Sequence, residues 1–175
     1  MRKLRPPQPA DWLTGDGDMA ARIRAFDWSK SPLGPRDTWS PALRATLGVM
    51  LANRFPLLLW WGPHYISIYN DAYVPILGIK HPDALGLPVE ECWSEIWDIL
   101  RPLIDTPYKG GPSTWIEDFE LHIQRLGRPE ETHFTVAYSP VPDDTTDHGI
   151  GGVCSPSALM RQSEGLHERR ISGSS

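Results

Sequence analysis

The side chains able to do chemistry fall into a few small groups. His122 and His133 flank the turn Leu126-Gly127-Arg128-Pro129 and could face each other across a hairpin, but no cysteine or carboxylate spacing completes a metal set around them. They read as solvated histidines on the more polar strand face, no metal site is expected, and neither stands out as an axial haem ligand. Glu90, Glu91, Glu95 and Asp98 fall mostly on the polar side of one helix, where a solvated face explains them. Tyr69, Asp71 and Tyr138 are conceivable proton-transfer groups for a small-molecule enzyme, and nothing in their spacing pairs them. The metalloprotease, nucleophile-elbow, P-loop and dinucleotide motifs are absent; GIGGVC lacks the final glycine and the helix that a dinucleotide fingerprint needs. No catalytic residue is assigned, and an enzyme would have to use a site outside these motifs.

The elements that must position these groups follow from periodicity. Ser40 and Pro41 open a helix to about Arg54, with Leu43, Leu47, Met50 and Leu51 on one face. Leu57 to Trp61 reads as a buried strand, joined through Gly62-Pro63 to a second strand at Tyr65 to Tyr69, in which Ile66 and Ile68 alternate against the tyrosines. Asn70-Asp71 caps a strand-to-helix turn, and Pro75 keeps the following helix short. Val89, Trp93, Ile96, Trp97 and Leu100 predict an amphipathic helix that Pro102 kinks or ends. Two further strands follow, one with Trp115, Phe119, Leu121 and Ile123 on its covered face, the other with Phe134, Val136 and Tyr138; GIGGVC adds a short fifth. Two strands, helices, then three strands predict an α+β domain, a five-stranded antiparallel sheet with its helices on one face.

The bulk numbers fit one domain of 175 residues with 40% hydrophobic content. A net charge of -5 from 17 basic and 22 acidic residues, without a long basic run, argues against a nucleic-acid partner. Cys92 and Cys154 are the only cysteines, as expected in a reducing compartment such as the cytoplasm. The basic N-terminus has no apolar core of signal-peptide length, and FPLLLWWG is too short to span a bilayer, so no membrane association is expected. Residues 1–20 are expected as a flexible tail, 21–55 as an N-terminal helical extension, 56–155 as the core and 156–175 as a C-terminal tail.

YNDAY followed by Gly78 resembles a PAS domain. Over roughly Phe26 to Val153 the phrases FDWSKSPLGPRDTW, RFPLLLWWGP, YNDAYVPILGIKHPDALG, WSEIW and RPEETHFTVAYSPV resemble the N-terminal PAS sensor domain of bacterial hybrid histidine kinases. The resemblance implies a sensory module of two-component signal transduction, stand-alone or truncated, that binds a small molecule or a partner protein. It also implies a cavity between the inner sheet face and the helices, for which Trp60, Ile68, Tyr73, Ile76, Trp93, Trp97, Phe134, Val136 and Tyr138 are the candidate lining. These are core residue types as well. These 175 residues hold no phospho-acceptor helix, ATP-binding domain or receiver, so kinase activity is not expected.

Departures from the resembling domains are informative. Cys92 lies where flavin-binding light-oxygen-voltage domains keep a reactive cysteine, but EECWSEIW lacks their Asn-Cys-Arg-Phe-Leu-Gln segment, so a flavin is not expected and the cofactor is unknown. From Cys154 to Leu166 the chain loses the expected exit helix and keeps only Glu168-Arg169-Arg170, the pattern a local frame change or a decayed kinase gene would leave. With the exit weakened by Pro156 and Gly165, the stripe on residues 41–54 is the expected surface for a homodimer or a histidine kinase.

Overall fold

The computed structural model describes residues 11–163. Ten elements are used below: α1 (Asp18–Ala25), α2 (Pro41–Ala52), β1 (Leu57–Trp61), β2 (Ile66–Tyr69), α3 (Val74–Leu77), α4 (Val89–Cys92), α5 (Trp97–Tyr108), β3 (Thr114–Ile123), β4 (Glu130–Pro142) and β5 (Ile150–Ser163). The strands form one antiparallel sheet in the order β2-β1-β5-β4-β3. The α+β expectation holds, and the last strand lies at the centre.

Both faces of the sheet are covered near β1, as its five consecutive buried residues LLLWW require. Trp60 faces the helices α3 to α5, whereas Leu57 shares a surface concavity with Ala45, Val49 and Met50 of α2, so the N-terminal extension lies on the opposite face. Ser40 caps α2 by accepting from the Leu43 N–H (3.2 Å), and its own hydroxyl donates to Asp143 (2.6 Å), tying the β4–β5 loop to that cap. The extension has its own aromatic cluster: Trp28 packs edge-on to Trp39, and Trp39 lies 5.9 Å from Trp12. Phe26 lies against Gly86, where a Cβ would sit 2.5 Å from its ring, so the HPDALG phrase keeps a glycine to admit that aromatic.

Several expectations are corrected. The stripe Leu43, Leu47 and Met50 is buried in the protein's own core, so it is not available to a second copy or a kinase; α2 shows solvent mainly Val49 and its neighbours. Residues 11–20 are packed, not a tail: Leu13 is buried, and Arg24 donates to the Leu13 and Gly15 carbonyls. Residues 1–10 and the Glu168-Arg169-Arg170 remnant lie outside the described residues. The fifth strand continues well past Cys154, through Pro156 to Ser163. Pairing with β4 lapses between Val136↔Ser157 and Ser139↔Cys154 and resumes in the same register, so the missing proline donor interrupts the ladder locally without ending the strand.

The helical region is also more broken than its periodicity suggests. Trp93 and Ile96 leave helical geometry at φ -119°, ψ 42° and φ -127°, ψ 12°, so α4 and α5 are separate. Pro102 lies inside α5 without ending it. In β3 a bulge between Ile116 and Phe119 shifts the alternation, leaving Trp115 65% exposed while Leu121 and Ile123 point inward. Among the described residues no helix is long and apolar enough to cross a membrane.

Candidate functional site

The cavity between sheet and helices is built by four strands and the broken helical layer. Trp60 of β1, Phe134, Val136 and Tyr138 of β4, and Ser155 and Ser157 of β5 form its floor. Tyr73, Ile76, Trp93, Ile96 and Leu100 roof it, with Leu121 and Ile123 of β3 at one side. Seven of the nine candidate residues therefore meet here: Trp60, Tyr73, Ile76, Trp93, Phe134, Val136 and Tyr138.

Ile68 and Trp97 do not. Ile68 pairs with Leu59 and so shares its face, the one away from Trp60. Trp97 is turned outward because the break before α5 resets the helical phase, leaving Leu100 and Ile104 to face the core. Trp97 lines a separate open groove of about 620 Å³ with Tyr65, Arg101, Asp105, Tyr108 and His148. Sequence reasoning missed Ser155 and Ser157, because it ended the fifth strand before them.

The cavity is tight and almost wholly apolar. Its free volume is about 30 Å³, room for about two waters. Three polar features interrupt the apolar wall. The Trp60 indole N–H is buried with no partner among the described residues, and the residue is 2% exposed. The Ser155 and Ser157 hydroxyls lie 3.1 Å apart, and either can donate. Tyr73 and Tyr138 keep their protons, since burial pushes both phenols above their ordinary value. Trp60 and Tyr138 lie 5.4 Å apart and make one aromatic surface.

The proposed proton-transfer trio is dispersed. Tyr69 has its hydroxyl 2.9 Å from His81 Nδ1, with burial raising its pKa, while Tyr138 lines the cavity. Asp71 accepts from the Met19 N–H (3.0 Å) at the start of α1, with Gly17 too close for any Cβ, so its carboxylate is a cap. Its neighbour Asn70 is fully buried; its Nδ2 faces the Met50, Asn53 and Phe55 carbonyls and its Oδ1 accepts from Leu57 and Tyr73 N–H. The NDAY junction is thus a fastener joining α2, β1 and the cavity roof.

Cys92 is buried, does not line the cavity, and burial pushes its thiol up to about 12. The thiol keeps its proton and so supplies no thiolate for a flavin adduct, and the cavity's free volume is far below the roughly 300–1,000 Å³ of pockets for drug-sized ligands. His122 is exposed and 2.8 Å from Glu120, but His133 is buried beneath Asp118, Glu131 and Arg161, against the expectation that both are solvated. Among the described residues no group of three or more His, Cys, Asp or Glu side chains is arranged to hold a metal ion.

Five antiparallel strands in this order, with a helical roof over their inner face, form the α+β arrangement expected of a PAS domain. No family model matches the chain, and no curated protein matches its sequence. Among solved structures it is similar to a sensory box sensor histidine kinase from Vibrio cholerae, at 18% identity and TM-score 0.45, over 67% of this chain and 86% of that one. It is also similar to the PAS domain of Bordetella pertussis BvgS (14% identity, TM-score 0.48, 73% and 88% covered) and to a Rhodobacter sphaeroides LOV protein (13%, 0.49, 71% and 70%).

Proposed function

We propose that the chain is a sensory module without catalysis of its own, whose cavity admits a small, mostly apolar molecule carrying one hydrogen-bond acceptor. The observation that carries this is Trp60, a lining residue whose buried indole N–H has no protein partner, in a lining that also holds the paired Ser155 and Ser157 hydroxyls. A buried donor left unmet costs about 1–3 kcal/mol, so whatever enters is selected for an acceptor at that point. The cavity's 30 Å³ means that anything larger than about two waters enters only as the α4–α5 roof moves outward. That movement is the response the module passes to a partner protein. The phrases resembling kinase sensor domains support a role in two-component signalling, in the cytoplasm as cysteine usage suggests. A homodimer or kinase contact through residues 41–54 would have to use the outward side of α2 around Val49.

The test is protein-observed NMR with a panel of small aromatic and cyclic ketones, aldehydes and nitriles. The reading expects saturable shifts of the Trp60 indole N–H in the parent and binding about tenfold weaker in Trp60→Phe, followed through the remaining cavity signals, since that variant loses the donor at a cost of roughly 1–1.5 kcal/mol. Binding that maps to the outer groove, or is indifferent to Trp60→Phe, would count against it.

A further inference from the structure

His133 sits where three strands run out of step. The β3 bulge holds Asp118 at φ 50°, a left-handed conformation unfavourable for a residue with a Cβ, and the β4–β5 pairing slips between His133 and Phe134. The two irregularities bring Asp118 from one side and Arg161 from the other onto the same imidazole. His133 is only 7% exposed, although the Asp118 and Arg161 side chains covering it are themselves 64% and 61% exposed. Nε2 lies 2.9 Å from Glu131, and Nδ1 lies 3.0 Å from Asp118 and 3.3 Å from Arg161 Nη2. Arg161 also reaches Asp118 at 3.2 Å. Glu120, opposite His133 on β3, is engaged by His122, which lies opposite Glu131.

The two neighbours of Nδ1 suit different protonation states. A neutral imidazole has one N–H. With that proton on Nε2 and given to Glu131, Nδ1 is a bare lone pair: Arg161 can donate to it, whereas the Asp118 carboxylate repels it. Add a proton and Nδ1 becomes a donor, for which Asp118 is the partner and Arg161 a like charge. We propose that His133 is a proton-operated latch: charged, it ties β4 to the β3 bulge through Asp118; neutral, it releases the bulge and ties β4 to β5 through Arg161. The Glu131 hydrogen bond first, then the Asp118 charge, favours the charged form, while burial and then Arg161 oppose it, with a net upward shift from 6.5. Because β5 also carries Ser155 and Ser157, the latch acts on the strand that floors the cavity, yet it stands whether or not the cavity binds a ligand.

Nitrogen-15 NMR of the His133 ring across pH tests this on the whole chain. The latch requires both nitrogens protonated below the changeover and the Nε2–H tautomer above it. Asp118→Asn should move the changeover to lower pH and Arg161→Gln to higher pH; both change exposed side chains. Amide exchange at residues 117–119, corrected for its intrinsic pH dependence, should quicken severalfold above the changeover in the parent. A neutral form protonated on Nδ1, an unmoved changeover in both variants, or bulge amides indifferent to pH would overturn the proposal.

Discussion

Asn70 can be removed on paper one hydrogen bond at a time. In Asn70→Ala the buried Leu57 N–H loses its acceptor, the Tyr73 N–H keeps only the Asn70 main-chain carbonyl (3.1 Å), and the carbonyls of Met50, Asn53 and Phe55 lose the donor they share. At about 1–3 kcal/mol for the one buried donor stranded, with the carbonyls adding less because each has a second lone pair, the loss comes to about 2–4 kcal/mol. Set against a total stability of about 5–15 kcal/mol, that is a large fraction. The melting temperature should fall by about 5–15 °C, at roughly 2–4 °C per kcal/mol for a domain of this size. Asn70→Asp separates donor from acceptor: it keeps the oxygens that Leu57 and Tyr73 need but aims a carboxylate at three carbonyls in a site with no solvent exposure. It should be at least as damaging at neutral pH and recover partly as the pH falls and the buried acid takes up a proton. Urea unfolding of the parent and both variants, followed by tryptophan fluorescence, measures this. Both variants unfolding within about 1 kcal/mol of the parent would refute the claim that Asn70 fastens α2 to the sheet, since that is the scale of a single ordinary hydrogen bond.

Other outcomes follow from the same contacts. Gly78 has φ 57°, and a Cβ there would lie 2.1 Å from the Arg125 carbonyl oxygen, so Gly78→Ala should cost about 3 kcal/mol or more in urea unfolding. Leu47→Glu should unfold the domain, not produce a folded monomer, because it buries a charge beneath α2; circular dichroism distinguishes the two. His133 has a raised pKa, first from the Glu131 hydrogen bond, so its contribution is fully present below about 6.5 and is lost as pH rises through the folded value. The stability gap between the parent and His133→Gln should therefore be wider at pH 5.5 than at pH 8.

How far these features could be read in the sequence depended on whether they were local. β1, β2 and the capped NDAY turn were legible, since side-chain alternation and the Asn cap act within a few residues. The cavity floor at Phe134, Val136 and Tyr138 was legible for the same reason. Ile68 was misplaced because alternation says which residues share a face, but only the pairing with Leu59 says which face it is. Trp97 was misplaced because two non-helical backbone residues, invisible in a hydrophobic pattern, reset the phase before α5. Trp115 and His133 were misread through bulges, which a chain adopts when neighbouring strands require them. The fifth strand was legible only as the short run GIGGVC, with Pro156 weakening an exit helix, and tertiary pairing on both sides carries the strand past that proline. The α2 stripe was read correctly as apolar; what covers it was a question only the packed sheet could answer.

The most direct test of the sensory reading is the Trp60 indole N–H resonance, followed as acetophenone is titrated into the parent, Trp60→Phe and a cavity-filling Val136→Phe variant. The account predicts a saturable shift of that resonance in the parent, weaker binding by about tenfold in Trp60→Phe seen through the remaining cavity signals, none in Val136→Phe, and accompanying shifts along α4 and α5 as the roof moves. Saturable binding that leaves the Trp60 resonance and the α4–α5 amides unmoved, or that persists in Val136→Phe, would contradict it.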